Sequence, residues 1–200
     1  MAFSTRRGAC SSRAGEEYHP GGMSESPDPR VRTRFFAALP GDVRSTIEGA
    51  ARTSWLPVDL HVVLAEVTSE ALGPASAYDY YRRSLSRTFQ GPLLAPMMRT
   101  ATRLLGLTPA TCLRWAKRGW DAGFRDCGGL EGEVIAPGRG RLVYRDLPAV
   151  CTASDAWLDS AQGSAYGTLD LVGAIGVVRI DKSQRAEGSL IVHLEWTVTP

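Results

Sequence analysis

Cysteine and histidine are the residues of this chain with the broadest chemistry, since both can bind metals or act in catalysis. The chain has three histidines and four cysteines, the latter Cys10, Cys112, Cys127 and Cys151. No two cysteines form a CxxC pair, and Cys10 stands in a segment that is poor in apolar residues. We therefore expect neither a zinc site nor a disulfide framework, but reduced and mostly buried thiols.

Short motifs of enzyme active sites are missing from the sequence. There is no GxSxG elbow, no GKS or GKT phosphate loop and no HExxH pair. Gly138-Arg139-Gly140 resembles a phosphate loop in composition, but it joins two strand-like segments and precedes no helix. Asp59 and His61 diverge on a predicted helix, and His193 and Glu195 fall on the outer face of a predicted strand. We predict no catalytic residue, no metal site and no enzymatic activity.

Basic residues are concentrated in the middle of the chain. The net charge is +2, yet residues 76–125 carry nine Lys or Arg against two Asp or Glu. Eight of these fall on three successive predicted helices and could form one face toward nucleic acid or an acidic protein. No helix-turn-helix signature accompanies them, so nucleic acid is the less favoured partner. The candidate basic face consists of Arg82, Arg83, Arg87, Arg99, Arg103, Arg114, Lys117 and Arg118.

The N-terminal 30 residues have a different composition from the rest. They are rich in Ser, Gly, Pro and Arg, with few apolar residues, which predicts a disordered tail. Met23 is an alternative translation start within it, and deleting residues 1–29 is expected to change the melting temperature little. Residues 35–198 form one predicted domain. No apolar run reaches the roughly 18 residues of a membrane helix, and no apolar segment follows Arg6 and Arg7, so we expect a soluble, cytoplasmic protein.

Apolar residues recur at helical spacing through the first half of the domain. Thr108 followed by Pro109 is typical of a helix start. The last helix of this half also carries a line of small residues, Cys112, Ala116, Gly119 and Gly123, which predicts the close approach of another element. The helices are predicted over residues 40–54, 57–73, 76–91, 94–105 and 108–128.

Beyond Leu130 the apolar period changes to two. Residues 130–135 and 141–146 flank a glycine-rich turn and predict one hairpin, and residues 176–181 and 190–198 predict a second. A helix over residues 157–172 stands between them, although Gly163 and Gly167 weaken that pattern. Two helix-hairpin units indicate an α+β fold, in which N-terminal helices pack on one face of a four-stranded antiparallel sheet.

Four segments carry a resemblance to a known family: SWLP at 54–57, LLGLTP at 104–109, RGWDAGFRDCGGL at 118–130 and PGRGRLVYRDLP at 137–148. Over residues 35–198 the chain resembles an uncharacterised family of paralogues from myxobacteria. That family is grouped with the heme-NO-binding-like, four-vinyl-reductase and TRAPP-subunit superfamily. The resemblance implies a fold that binds small or lipidic ligands between helices and sheet, and a role in bacterial signalling.

The heme-binding members of this superfamily use an axial histidine on a helix and a Tyr-x-Ser-x-Arg motif for the propionates. In the nearest stretch here, residues 80–87, neither tyrosine has serine two positions later. The one histidine on a predicted helix is His61. We therefore expect no heme and no other cofactor.

Without the resemblance, the apolar stripes would be interpreted as ordinary hydrophobic core. Because the resemblance implies a bound ligand, we treat some of their residues as a candidate ligand pocket. We hypothesise a non-enzymatic sensor or interaction module of a bacterial regulatory protein, which binds a small molecule or lipid. The alternative is an adaptor that binds nucleic acid or an acidic protein through the basic face. A small apolar ligand, a protein partner and a homodimer all stay open. The pocket residues are Tyr81, Leu85, Met97, Trp120 and Trp196.

Overall fold

The computed structural model describes residues 10–13, 29–51, 54–90 and 106–197, without the side chains of Arg13 and of residues 86–90. The helix predicted over 94–105 lies outside the described residues, together with Met97, Arg99 and Arg103. The side chain of Arg87 lies outside them as well.

Helices and strands follow each other as an α+β fold, as predicted. The first half of the chain is mainly helical, and the two long hairpins come in the second half. The elements are β1 (Ser11–Arg13), α1 (Pro29–Ala38), α2 (Gly41–Gly49), β2 (Trp55–Pro57), α3 (Val58–Leu72), α4 (Pro74–Gln90), α5 (Pro109–Gly123), β3 (Phe124–Arg125), β4 (Gly129–Ala136), β5 (Arg139–Arg145), α6 (Ala149–Ala153), α7 (Asp155–Leu171), β6 (Gly176–Asp181) and β7 (Leu190–Trp196).

The main sheet has the strand order β4-β5-β7-β6, and all of its neighbours are antiparallel. Residues of one face alternate with residues of the other, because successive side chains of a strand point to opposite sides. Leu142 and Val192 pair across the centre and are buried on the helix side. His193 and Glu195 are exposed on the opposite face. The predicted sheet of two hairpins is confirmed.

Helix α3 is the central helix of the molecule. Leu60 and Leu64 pack into a core that α1 and α2 share, whereas Val62 and Ala65 pack into the core of the sheet. A helix that is apolar on two sides is buried between two layers. Helix α3 thus joins the N-terminal helices to the sheet.

Helices α4 and α7 pack at close range through glycine. A Cβ atom at Gly163 would lie 2.7 Å from the carbonyl oxygen of Tyr78, and one at Gly167 would lie 2.5 Å from that of Arg82. By contrast, a Cβ atom at Gly119 or Gly123 of α5 would meet nothing within 4 Å. The close approach predicted along α5 is therefore wrong for these glycines. It takes place instead at Leu113, whose backbone a Cβ atom at Gly132 of β4 would meet.

Part of the N-terminal segment is a strand. β1 lies between β2 and β3 in a three-stranded antiparallel sheet, in which Ser12 pairs with Leu56 on one side and with Phe124 on the other. Helix α1 starts at Pro29, before the predicted domain boundary. The prediction of disorder is therefore wrong for residues 10–13 and 29–30, since backbone hydrogen bonds and packing on α3 order segments without a long apolar pattern.

A disulfide joins Cys10, just before β1, to Cys127, just before β4, with a Cα–Cα distance of 4.7 Å. Cys112 is half-buried and Cys151 is buried, and both are free thiols. The expectation of four reduced cysteines is wrong for Cys10 and Cys127. The two are 117 residues apart, and only the fold brings them together.

Candidate functional site

Five aromatic rings from separate parts of the chain meet between the helices and the sheet. Trp120 stacks on Phe124 with the ring centroids 3.9 Å apart, and Tyr144 meets Trp120 edge-on at 5.5 Å. On the other side, His61 stacks against Phe124 at 5.7 Å and meets Trp157 edge-on at 6.4 Å. We call these five residues the aromatic cluster. It runs without a break from the sheet to α7.

Local sequence sets the position of Trp120 and Phe124. Thr108 caps α5 by accepting a hydrogen bond from the backbone N–H of Thr111 at 3.2 Å, and Pro109 opens the helix. This start places Leu113 and Trp120, seven residues apart, on the buried face. Phe124 follows four residues later in extended conformation, and its ring stacks on that of Trp120.

Trp157 is positioned by the start of its own helix. Ser154 caps α7, and its hydroxyl oxygen accepts a hydrogen bond from the Trp157 backbone N–H at 3.4 Å. A capped first turn has a fixed direction, so the indole is held toward the interior. Only 2 % of Trp157 is exposed.

β1 holds His61 and Phe124 side by side. Phe124 pairs with Ser12, and the backbone N–H of Val58, at the start of α3, donates a hydrogen bond to the Cys10 carbonyl oxygen at 3.2 Å. His61 follows three residues after Val58. The disulfide at Cys10 therefore fastens the strand that aligns both rings.

The titratable groups of the aromatic cluster are neutral at pH 7. Burial lowers the pKa of His61 to about 4, so its imidazole carries no proton charge. Burial also raises the pKa of Tyr144, which keeps its hydroxyl protonated. The cluster is thus an uncharged aromatic region, which suits an apolar occupant better than an ion.

Two indole N–H groups in the cluster are buried without a hydrogen-bond partner in the described part of the chain, those of Trp120 and Trp157. An indole nitrogen is only a donor. Buried donors in folded proteins are nearly always paired. These two nitrogens are therefore unpaired hydrogen-bond donors in an uncharged, mainly aromatic site.

Among the described pocket residues, Tyr81 and Trp120 are buried in one hydrophobic core, against which Trp196 packs. Tyr81 and Leu85 lie at the contact between α4 and α7, beside Gly163 and Gly167. Trp120 is buried in the core of the sheet, and Trp196 is half-buried and packs against that core. The expectation that both tryptophans share one core is confirmed. That the predicted residues line a ligand pocket stays a prediction.

Sequence reasoning assigned Trp120 to the candidate pocket, but it did not assign the four other members of the aromatic cluster to it: His61, Phe124, Tyr144 and Trp157. The i, i+4 spacing of Trp120 and Phe124 is a visible signal, since residues four apart on a helix are neighbours. The other three come from α3, β5 and α7. Their spacing in the sequence does not indicate that α3, β5 and α7 contact one another.

Arg82, from the predicted basic face, forms an internal ion pair. Its guanidinium binds Asp170 through Nε–Oδ2 at 2.5 Å and Nη2–Oδ1 at 2.8 Å, and lies 3.9 Å from the Tyr166 ring centroid. This side chain joins α4 to α7. Arg83, the next residue, is exposed.

The basic residues of α5 surround an exposed tryptophan. Trp115 is 51 % exposed, and the Arg118 guanidinium lies 5.4 Å from its ring centroid. Lys117 pairs with Asp121 at 2.9 Å, and Arg114 is exposed. Since α5 packs mainly on β4 whereas α4 packs mainly on α7, the basic residues of these two helices lie on differently placed elements.

No protein-family model matches the chain, and no curated protein matches its sequence. Its fold is similar to those of two solved H-NOX structures. One is the Fe(II) unliganded A71G mutant from K. algicida, with a TM-score of 0.59 and 8% identity over 92% of this chain and 94% of that chain. The other is the Fe(II) unliganded H-NOX protein from K. algicida, with a TM-score of 0.56 and the same identity and coverage. The expected heme-NO-binding-like fold is confirmed.

Among the described residues, those nearest to the heme motif do not fit a heme. His61 stacks on Phe124 and meets Trp157 edge-on, so one face of its imidazole is covered by an aromatic ring. Arg82 stands four residues after Tyr78, as the arginine of a Tyr-x-Ser-x-Arg motif would, but Tyr80 replaces the serine and Asp170 already binds the guanidinium. Within the described ranges no cluster of three or more His, Cys, Asp or Glu could hold a metal ion.

None of the helices in the described ranges has both the length and the apolar content needed to cross a bilayer.

Proposed function

We propose that this chain is a non-enzymatic sensor module that binds a small or lipidic molecule between its helices and its sheet. The aromatic cluster carries this proposal, because it joins three helices and the sheet through rings that can adapt to an occupant. A molecule bound there would contact α3, α5 and α7 at once. Its binding would therefore change how the helices sit on the sheet, which is what a sensor requires.

The wider setting belongs to the same proposal. We take the module to be part of a bacterial, cytoplasmic regulatory protein, related to the myxobacterial paralogues that the four sequence segments resemble. The H-NOX-like fold and the uncharged interior support a ligand-binding role. The unfavourable surroundings of His61 speak for a ligand other than heme.

Native mass spectrometry of protein purified from its own host tests the proposal. We expect an added mass that the wild-type chain retains and that Trp120→Leu loses. Trp115→Leu is the matched control, since Trp115 is exposed on the same helix and should leave the added mass in place. A wild-type chain that carries no added mass and binds no small molecule in solution would contradict the proposal.

A second candidate function is an adaptor for nucleic acid or an acidic protein. Trp115 supports it, because an exposed tryptophan between Arg114 and Arg118 offers stacking and charge together. Binding to nonspecific DNA should then weaken steeply as salt rises, and the double variant Arg114→Gln/Arg118→Gln should abolish it. The absence of a salt-dependent shift would exclude the nucleic acid.

A further inference from the structure

The two unpartnered indole groups define what a ligand of the aromatic cluster must supply. Trp157 is 2 % exposed and Trp120 is 8 % exposed, so neither side chain is open to bulk water. Each Nε1 lacks a hydrogen-bond acceptor among the described residues. Leaving a buried donor unpaired is unfavourable, because the group has lost its hydrogen bonds to water. An acceptor from outside the chain, water or a ligand atom, would remove that cost.

Both donors belong to one continuous set of rings. Trp120 contacts Phe124, Phe124 contacts His61, and His61 contacts Trp157. The surfaces between the two nitrogens are therefore aromatic faces and edges. A molecule that reaches either nitrogen must itself be largely apolar or aromatic, because it replaces packing contacts among these rings.

Charge narrows the class of ligand further. The aromatic cluster contains no Lys, Arg, Asp or Glu, and its histidine and tyrosine are neutral at pH 7 because of burial. A carboxylate moved into such a region would lose its hydration without gaining a partner of opposite charge. A neutral oxygen loses much less and can still accept from an indole N–H.

We infer that the aromatic cluster binds a neutral, mainly apolar molecule whose carbonyl or similar oxygen accepts a hydrogen bond from the indole N–H of Trp120 or Trp157. This inference rests on the proposed sensor function and names the ligand class that the function leaves open. A site of this kind would not bind a charged lipid headgroup, a fatty acid or a metal complex.

Three probes of matched shape test it on the full chain. Acetophenone carries a neutral acceptor, ethylbenzene lacks the oxygen, and benzoate carries a charge. The ¹⁵N–¹H spectrum of the tryptophan side chains reports each binding event at the indole N–H itself. We expect acetophenone to bind at least ten times more tightly than either other probe, and to shift the Trp120 or Trp157 signal downfield.

Conservative variants show which indole N–H is responsible for the preference for acetophenone. Trp120→Phe or Trp157→Phe keeps an aromatic ring but removes the N–H, so the preference for acetophenone over ethylbenzene should fall toward one. Trp115→Phe, the exposed control, should keep it. The wild-type preference needs no variant, so the test remains decisive even where one variant does not fold.

The contrary outcomes are distinguishable. Equal binding of acetophenone and ethylbenzene, or tighter binding of benzoate, would overturn the inference while leaving the sensor function in place. If none of the three probes binds and the indole signals exchange with water, the cluster is hydrated core, and both the inference and the proposed function are wrong.

Discussion

Trp120 and Phe124 stack with their centroids 3.9 Å apart and their planes 15° apart, although one residue is in a helix and the other is in a strand. The backbone N–H of Phe124 still bonds to the Trp120 carbonyl oxygen, which closes the last turn of α5. The chain then continues as β3, which pairs with β1. The aromatic cluster is thus built at the point where helix α5 passes into the small sheet.

Truncation of Trp120 should be strongly destabilising. We expect Trp120→Ala to lower the free energy of unfolding by about 3–5 kcal/mol, because it removes a buried ring that contacts Phe124 and Tyr144. Trp115→Ala, at an exposed position of the same helix, should change it by less than about 0.5 kcal/mol. Urea denaturation measures both. Similar midpoints for the two variants would show that Trp120 is not a core residue.

Glycine-to-alanine substitutions should have opposite signs on two helices. Gly163→Ala and Gly167→Ala each place a methyl group against the backbone of α4, so we expect losses of about 1–3 kcal/mol. Gly119→Ala meets open space in the middle of α5 and should stabilise the protein by about 0.5–1 kcal/mol. Stabilisation by alanine at Gly163 and Gly167 would mean that α4 and α7 do not pack closely.

His61 should make stability depend on pH. Its pKa in the folded state is about 4, against 6.5 for an ordinary histidine, so the unfolded chain takes up a proton first as the pH falls. Stability is then lost between about pH 6.5 and pH 4, by about 3 kcal/mol in all. Denaturation curves at several pH values should show this slope in the wild type.

The slope has a direct control. His61→Phe removes the titrating group but keeps a ring against Phe124, so its stability should fall less over the same pH range. Trp115→Phe changes an exposed ring that does not titrate and should keep the wild-type slope. An unchanged slope in His61→Phe would assign the acid sensitivity to other groups.

Sequence patterns were sufficient for elements whose apolar residues face one side. Leu190, Val192 and Leu194 alternate with Ile191, His193 and Glu195, so the strand and its inner face can be predicted without a structure. Gly163 and Gly167 were misjudged, because a glycine lowers helix propensity whether or not another helix packs on it. A line of small residues allows close packing only where the surrounding large side chains let another element approach. That depends on the tertiary structure, so the sequence does not show at which of two such lines close packing occurs.

The small sheet and the aromatic cluster were beyond prediction for a different reason. β1 is held by backbone hydrogen bonds, which carry no side-chain pattern, and by a bond between two cysteines that are 117 residues apart. His61 and Trp157 meet through the packing of α3 and α7. Contacts of this kind depend on tertiary structure, and a single sequence does not report them.

Loss of the disulfide should lower stability. It closes a loop of more than 100 residues, so Cys127→Ser should cost about 3–5 kcal/mol relative to the oxidised wild type. Cys112→Ser, at a free and half-buried thiol, is the control and should cost less.

Deletion of residues 1–29 should lower the melting temperature clearly, contrary to the expectation from sequence, because it removes β1 and the disulfide at Cys10. A melting temperature within a few degrees of the wild type would mean that β1 does not dock in solution.

Hemin should not reconstitute the protein. His61 contacts two aromatic rings, and Asp170 already binds Arg82, so among the described residues the two groups nearest to the heme motif are engaged within the protein. A titration followed by absorbance should therefore give no stoichiometric Soret band. A sharp band that His61→Ala removes would reverse this conclusion.

The position of β1 has a consequence for biosynthesis. Both neighbours of β1, and the cysteine that fastens it, follow it in the chain, and Cys127 is made 117 residues after Cys10. A ribosome therefore releases β1 long before β3 exists, and until then one edge of the strand has no partner. The order of synthesis makes the alignment of His61 and Phe124 a late event, which follows the completion of α5.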